Sequence, residues 1–391
     1  MKQTALFIIG LTIVAFPAAG GGLNRIGGMG PRHGALSGSY ADDSALFCYN
    51  PAGLANFQRS YADLSVEVFT PHFRLKNRLT GRSNASAQNV YHLIPLAGVI
   101  EPVNDHWVWG VGITTPYGFG AKFDSDWLSG IYESETLLGL VNLTPAVAFK
   151  LTDNLSLGVG LNIGYGQFKY RAPFDIQGWE TPIKSDSEGD GWGLGAIAGL
   201  NYRPTPKLEI GISYLSEMKV RLSGETKIND PTSLFELTDR FDSAFTFPDR
   251  LSGTIAYHGR RTLVAFSANW YGYSQQVNSL TLDFEKLPLT KTTILDWRDN
   301  YSLHLGARLN INHCWSTSFG LGYQTAAIPP QTISQYTPDA DGWDLAWGLN
   351  FSRGSFHCQL HAIYGWGEME TRTRKYSAQT WTIGAGIGWL F

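Results

Sequence analysis

From about residue 61 to the last residue, apolar side chains alternate with small or polar ones in long runs. In 154–171, Leu155, Leu157, Val159, Leu161, Ile163 and Tyr165 share one parity, and Ser156, Gly158, Gly160, Asn162, Gly164 and Gly166 hold the other. At the end of the chain, Trp381, Ile383, Ala385, Ile387, Trp389 and Phe391 alternate with Thr380, Thr382, Gly384, Gly386 and Gly388. Successive side chains of a strand point to opposite faces, so each run is a strand with one apolar face and one small or polar face. A soluble sandwich would carry charge on its polar face. Here charged residues are only 16% of the chain, against about 25% in ordinary domains.

The runs fall at about 61–78, 88–101, 106–115, 142–151, 154–171, 190–203, 207–222, 246–259, 261–280, 298–312, 313–325, 341–353, 355–370 and 376–391. They number fourteen, an even count, as a closed bacterial transmembrane barrel requires. Connections after even-numbered runs are short; those after odd-numbered runs are long, at 116–141, 172–189, 223–245, 281–297 and 326–340. Short periplasmic turns and longer outer loops alternate in this way around outer-membrane barrels. Trp107, Trp109, Trp192, Trp315, Trp343, Trp347, Trp381 and Trp389 fall near run ends, where interfacial girdles lie. The expected fold is therefore all-β, a 14-stranded antiparallel transmembrane β-barrel over 61–391, in the outer membrane of a Gram-negative bacterium.

The single long apolar run, Ala5–Phe16, is too short for a membrane helix, which needs about 20 residues. With Lys2 before it and Pro17-Ala18-Ala19-Gly20 after it, residues 1–20 are expected to be a signal peptide. Residues 21–60 are low in charge and lack strand periodicity. They are too many for a leader strand and too few for a separate domain. An N-terminal plug inside the lumen is the expected role, because a barrel of this size would otherwise enclose a sizeable interior.

Several function classes lose ground at once. A net charge of −3 leaves no basic excess for phosphates, so no nucleic acid partner is expected. Cys48, Cys314 and Cys358 are widely spaced and odd in number; a Cys314–Cys358 pair stays open. No nucleophile-elbow, metalloprotease or P-loop motif occurs. Ser216 and Lys219 match Ser-x-x-Lys, but on a strand residues three apart face opposite ways. Ser302 with His304, and His357 with His361, share the inward parity, as expected of a polar lumen. No enzyme activity and no cofactor are expected. Asp186, Glu188 and Asp190 have the spacing of half a calcium loop, but Ile197 stands where the bidentate carboxylate belongs. They are read as a solvated outer loop, as are Asp339, Asp341 and Asp344, with a structural calcium left open.

The segment Ala41–Leu54 contains Asn50-Pro51-Ala52-Gly53-Leu54. With the fourteen runs, it resembles the FadL/TodX-type outer-membrane transporters of hydrophobic compounds, whose plug motif ends in Asn-Pro-Ala. Thr115-Pro116-Tyr117-Gly118, Asp126-Trp127, Leu143-Thr144-Pro145-Ala146, Phe247-Pro248-Asp249-Arg250-Leu251, Trp297-Arg298-Asp299 and Ile328-Pro329-Pro330 follow in order. The resemblance implies passive uptake of long-chain fatty acids or, in some branches, aromatic hydrocarbons. The ligand would pass from an outer-loop groove to a lumen pocket and leave sideways past a kink in the third strand as the plug shifts. A polar-solute porin would need a charged constriction and no plug; a structural or adhesive barrel is the other alternative.

On that reading Asn50, Pro51 and Ala52 form the gating motif. Gly110 and Gly112 in the third strand mark the kink. Tyr117, Phe119, Phe123, Trp127, Leu137, Leu138 and Leu140 make the outer groove, because an outer loop this apolar covers or captures something. Arg308, with His304 on the same inward parity, is the head-group candidate for a carboxylate ligand. Phe391 is the signal to the barrel assembly machinery. Outer-membrane lipid surrounds a barrel that works as a monomer.

Overall fold

The computed structural model describes residues 32, 36, 40–78, 84–88, 90–124, 133–174, 183–229, 236–286 and 290–391. The expected signal peptide at 1–20, and Trp127, lie outside them. Fourteen antiparallel strands close into one barrel. In chain order they are β1 (Tyr61–Asn77), β2 (Asn84–Ser86, resuming as His92–Pro102), β3 (Trp107–Phe123), β4 (Ser134–Thr152) and β5 (Leu155–Phe174). Next come β6 (Ile183–Thr205), β7 (Leu208–Leu215 and Met218–Asn229), β8 (Glu236–Phe247 and Arg250–His258) and β9 (Thr262–Tyr271 and Ser279–Phe284). The last five are β10 (Thr290–Ile294 and Asn300–Asn310), β11 (Trp315–Gln324), β12 (Asp341–Arg353), β13 (Phe356–Glu370) and β14 (Arg374–Leu390). β1 pairs with β14 from Tyr61↔Leu390 to Asn77↔Arg374, and this seam closes the barrel. Closure pairs the first strand with the last, so neither presents an unpaired edge to lipid along this seam.

The alternation maps directly onto the wall. Ile383 is 61% exposed and Trp389 47% exposed on the outside, while Thr380 and Thr382 are buried inside. A continuous apolar exterior of this size has no place in water; lipid satisfies it. The turn Gly354–Ser355 is one of the short connections, and Gly354 adopts φ 62°, a backbone that side-chain-bearing residues resist.

The strands run further outward than the apolar pattern does. β3 continues to Phe123 and β4 begins at Ser134, so most of the expected loop 116–141 is strand. The same holds at 172–189, where β5 and β6 extend to Phe174 and back from Ile183. Beyond the lipid the outward positions become charged: Lys169 pairs with Glu188 at 2.6 Å, and Arg171 with Asp186. Backbone pairing persists where the apolar parity stops. Asp186, Glu188 and Asp190 are therefore strand residues of β6, and two of them are already neutralised by cations. No group of metal-binding side chains occurs among the described residues.

Residues 40–57 lie against the inner wall. A single helical turn, α1 (Leu46–Tyr49), leads into a 3₁₀ turn (Pro51–Asn56). Pro51 opens that turn without a lost hydrogen bond. Phe47 is fully buried, with its ring over Gly98, Gly110 and Gly112 of β2 and β3. A Cβ at any of the three would overlap Phe47 or its neighbour Ser44. Gly110 and Gly112, expected to mark a kink, are where the wall is stripped of side chains to admit a ring. The irregularity in β3 lies further along, as a register shift against β4 between Thr114 and Tyr117.

Candidate functional site

The inner segment is tied to the wall by polar contacts as well as packing. Asn50 accepts from the Ala52 amide at 3.1 Å and donates from Nδ2 to the Leu200 carbonyl of β6 at 3.0 Å. Ser156 donates to the Ala52 carbonyl at 2.9 Å, and Ser213 to the Tyr49 carbonyl. Tyr40 donates to Glu209, which also accepts from Arg203, Asn201 and His258. Ser44 donates its amide to Asp63. Asp43 sits beside Asp63; burial and the Asp63 charge push the Asp43 carboxyl up to about 7.

On the outer side of this segment the lumen is apolar. Tyr117, Phe119 and Phe123 of β3 and Leu138 and Leu140 of β4 point inward and are at most 7% exposed. They pack with Phe168, Phe245, Phe247 and Trp297. A cavity of about 70 Å³ lies among Phe119, Leu138, Phe168, Phe245, Leu295 and Trp297, with no charged side chain on its lining. These residues were expected as an outer-loop groove. They are instead the inner face of extended strands, and Leu137, of opposite parity, faces outward into a separate charged groove.

The cap over the lumen is the β11–β12 connection. Ala327, Ile328 and Ile333 are buried in it, and Asp339 accepts from the amides of Ala327 and Ile328 at 2.8 and 3.0 Å. Asp341 accepts from Ala326. These carboxylates are engaged by backbone amides of the same connection. The signal was present in the sequence as Ala326-Ala327-Ile328, apolar where a solvated loop should be polar.

Between β2 and β3 the wall is interrupted. Their ladder runs from Pro102↔Val108 to Ala97↔Ile113 and then stops, to be met again at the isolated bridge Ala87↔Phe123. Pro95 and Pro116 lie on the two sides of the gap and have no amide hydrogen to give. Thr115 and Pro116 also fall in the β3–β4 register shift.

The head-group candidates do not meet the apolar cavity. Arg308 reaches the Arg32 carbonyl at 3.5 Å, and His304 bonds Ser302 at 3.0 Å. Sequence reasoning passed over a different cation. Arg250, 4% exposed, lies on the inner face of β8 between the apolar lumen and the segment. Its Nη2 donates to the Cys48 carbonyl, and it stands 5.5 Å over the Tyr49 ring. Its signal was a cation two residues after Pro248, where a strand resumes. Cys48, Cys314 and Cys358 are all free thiols.

A closed barrel with an apolar exterior, an apolar chamber and a segment packed against its inner wall is the architecture of an outer-membrane transport protein. The chain belongs to the outer membrane protein transport protein (OMPP1/FadL/TodX) family, whose model matches residues 12–355. That family transports hydrophobic substrates across the outer membrane of Gram-negative bacteria. The chain is 25% identical to a long-chain fatty acid transport protein of Escherichia coli O6:H1, over 90% of this chain and 88% of that one. It is 23% identical to outer membrane protein P1 of Haemophilus influenzae, over 77% and 75%. Among solved structures it resembles a Pseudomonas aeruginosa FadL homologue, with a TM-score of 0.79 at 16% identity, covering 94% of this chain and 99% of that one. The Pseudomonas putida toluene transporter TodX superposes with a TM-score of 0.77 at 15% identity, covering 94% and 99%.

Proposed function

We propose that this chain is a passive, plug-gated channel for hydrophobic compounds, with long-chain fatty acids as the first substrate to test and aromatic hydrocarbons as the second. The observation that carries this is the order of features along the lumen. An uncharged apolar chamber lies outside, the segment 40–57 lies beneath it, and a gap in the β2–β3 ladder lies in the wall beside Tyr117. A hydrophobic molecule enters the chamber by desolvation. It passes inward when the segment shifts, and the gap offers an exit into the bilayer, so the ligand never crosses water. Residues 21–60 act as the plug, with Asn50, Pro51 and Ala52 as its fixed point. Phe391, exposed at the lipid-facing end of the last strand, serves as the assembly signal, and the barrel works as a monomer.

The test is uptake of labelled oleate and labelled toluene by cells lacking a transporter of this type and expressing this chain. Oleate uptake identifies the fatty-acid branch, and toluene uptake alone identifies the aromatic one. Uptake of neither, with a folded barrel in the membrane, sinks the proposal.

A further inference from the structure

Arg250 is a buried guanidinium with no carboxylate partner among the described residues. Asp249, next to it in the chain, accepts from the Tyr214 hydroxyl at 3.0 Å on the outer face. Around the guanidinium stand Cys48, Tyr49, Tyr117 and Tyr271. Its Nη2 donates to the Cys48 carbonyl, its Nη1 lies 3.8 Å from the Cys48 sulfur, and its Nε has no partner. A buried charge is costly unless an opposite charge meets it. A neutral carbonyl and three phenol rings compensate it only in part.

Its position gives that deficit a use. Phe245 lines the apolar cavity and packs on Phe247 at 5.1 Å. Phe247 stacks on Tyr117 at 5.7 Å, and Tyr117 stands against Arg250. One aromatic layer therefore separates the uncharged chamber from the cation. On the far side of the cation is the backbone of residue 48, two positions before Asn50. The guanidinium fork matches a carboxylate in bidentate fashion, with stronger bonds than a carbonyl can accept.

We propose that Arg250 is the head-group site for a carboxylate-bearing hydrophobic ligand, and that the carboxylate takes the guanidinium from the Cys48 carbonyl and so releases the plug. This rests on the channel reading above. The alkyl tail trails on the apolar side of the aromatic layer, the head group passes that layer, and the same bond that recognises the ligand undoes the latch. A neutral ligand fills the chamber without undoing it.

The free thiol of Cys48 reports on the latch. The full chain with Cys314→Ser and Cys358→Ser leaves it as the sole cysteine, and maleimide alkylation measures its access. Oleate should raise the alkylation rate several-fold, and methyl oleate should not. Arg250→Met should start fast and ignore both ligands, while Arg250→Lys, which keeps the charge, should keep part of the oleate response. Heat-modifiable migration checks that each barrel is folded. An equal effect of oleate and methyl oleate, or an unchanged oleate response in Arg250→Met, overturns the proposal. Cell uptake separates the two claims. If both compounds enter equally while Cys48 stays indifferent, the channel stands and the Arg250 latch falls. If neither enters, the channel reading itself fails.

Discussion

Asn50 holds the Leu200 carbonyl of the wall with one end of its amide and the Ala52 backbone with the other. One side chain thereby fixes both the shape of the inner segment and its place on β6. Each such hydrogen bond contributes about 1 kcal/mol net. Asn50→Ala is expected to loosen the segment by about 2 kcal/mol without touching the barrel. Together with Pro51→Ala it should impair uptake while heat-modifiable migration stays normal; unchanged uptake with unchanged migration would count against the plug.

Phe47 and Gly112 form a matched pair. Gly112→Val puts carbon where the ring lies, so it should expel the segment, and cleavage of residues 40–57 by added protease should rise sharply. Combining it with Phe47→Ala removes the clash and should restore much of the protection. Double-mutant additivity, with no rescue, would show that the ring and the glycine are not in contact.

Docking of the segment is expected to depend on pH through the Asp43–Asp63 pair. Asp43 faces Asp63, Tyr61 and Arg32, and its carboxyl is raised from 3.8 to about 7. A raised carboxyl favours the protonated form when docked. The stabilisation is therefore complete below about pH 4 and is lost as pH rises through about 7. Protease access to the segment should increase between pH 5 and pH 8. Asp43→Asn should flatten that profile; a profile that is flat already in the unaltered protein would refute the assignment.

Leu138 borders the 70 Å³ cavity. Leu138→Trp fills it, and loss of one apolar subsite worth about 1.4 kcal/mol would weaken ligand binding roughly tenfold. Titration of the detergent-purified barrel with a fluorescent fatty acid would measure this. Undiminished affinity would move the binding chamber elsewhere.

Deleting Phe391 should lower the amount of heat-modifiable barrel in the outer membrane, with the residual barrels transporting normally. Normal assembly after the deletion would leave the C-terminal signal unsupported.

The barrel was legible because lipid imposes its rule on every outward position. Leu157, Val159 and Leu161 must be apolar whatever the ligand is. Strand ends were less legible, because Lys169 and Glu188 stand on strands that have already left the lipid, and charge there looks like loop. The chamber was found as a composition and misplaced as a structure: Tyr117, Phe119 and Leu138 are strand residues facing inward. Gly110 and Gly112 were read from the local strand alone, which left out the Phe47 ring they meet, a contact some sixty residues away in sequence that no local pattern encodes. Arg250 escaped for a similar reason, since its burial depends on Tyr117, Tyr271 and Cys48 arriving from three other stretches of chain.

Stripping side chains from Gly98, Gly110 and Gly112 has a consequence for what passes through. The wall there contributes only main chain, so the ring of Phe47 rests in a trough one side chain deep. Were the segment to leave, the space freed would be that of the Phe47 ring, floored by main chain. On the plug proposal, the room gained when the segment moves is set by which side chains the barrel lacks at those three positions.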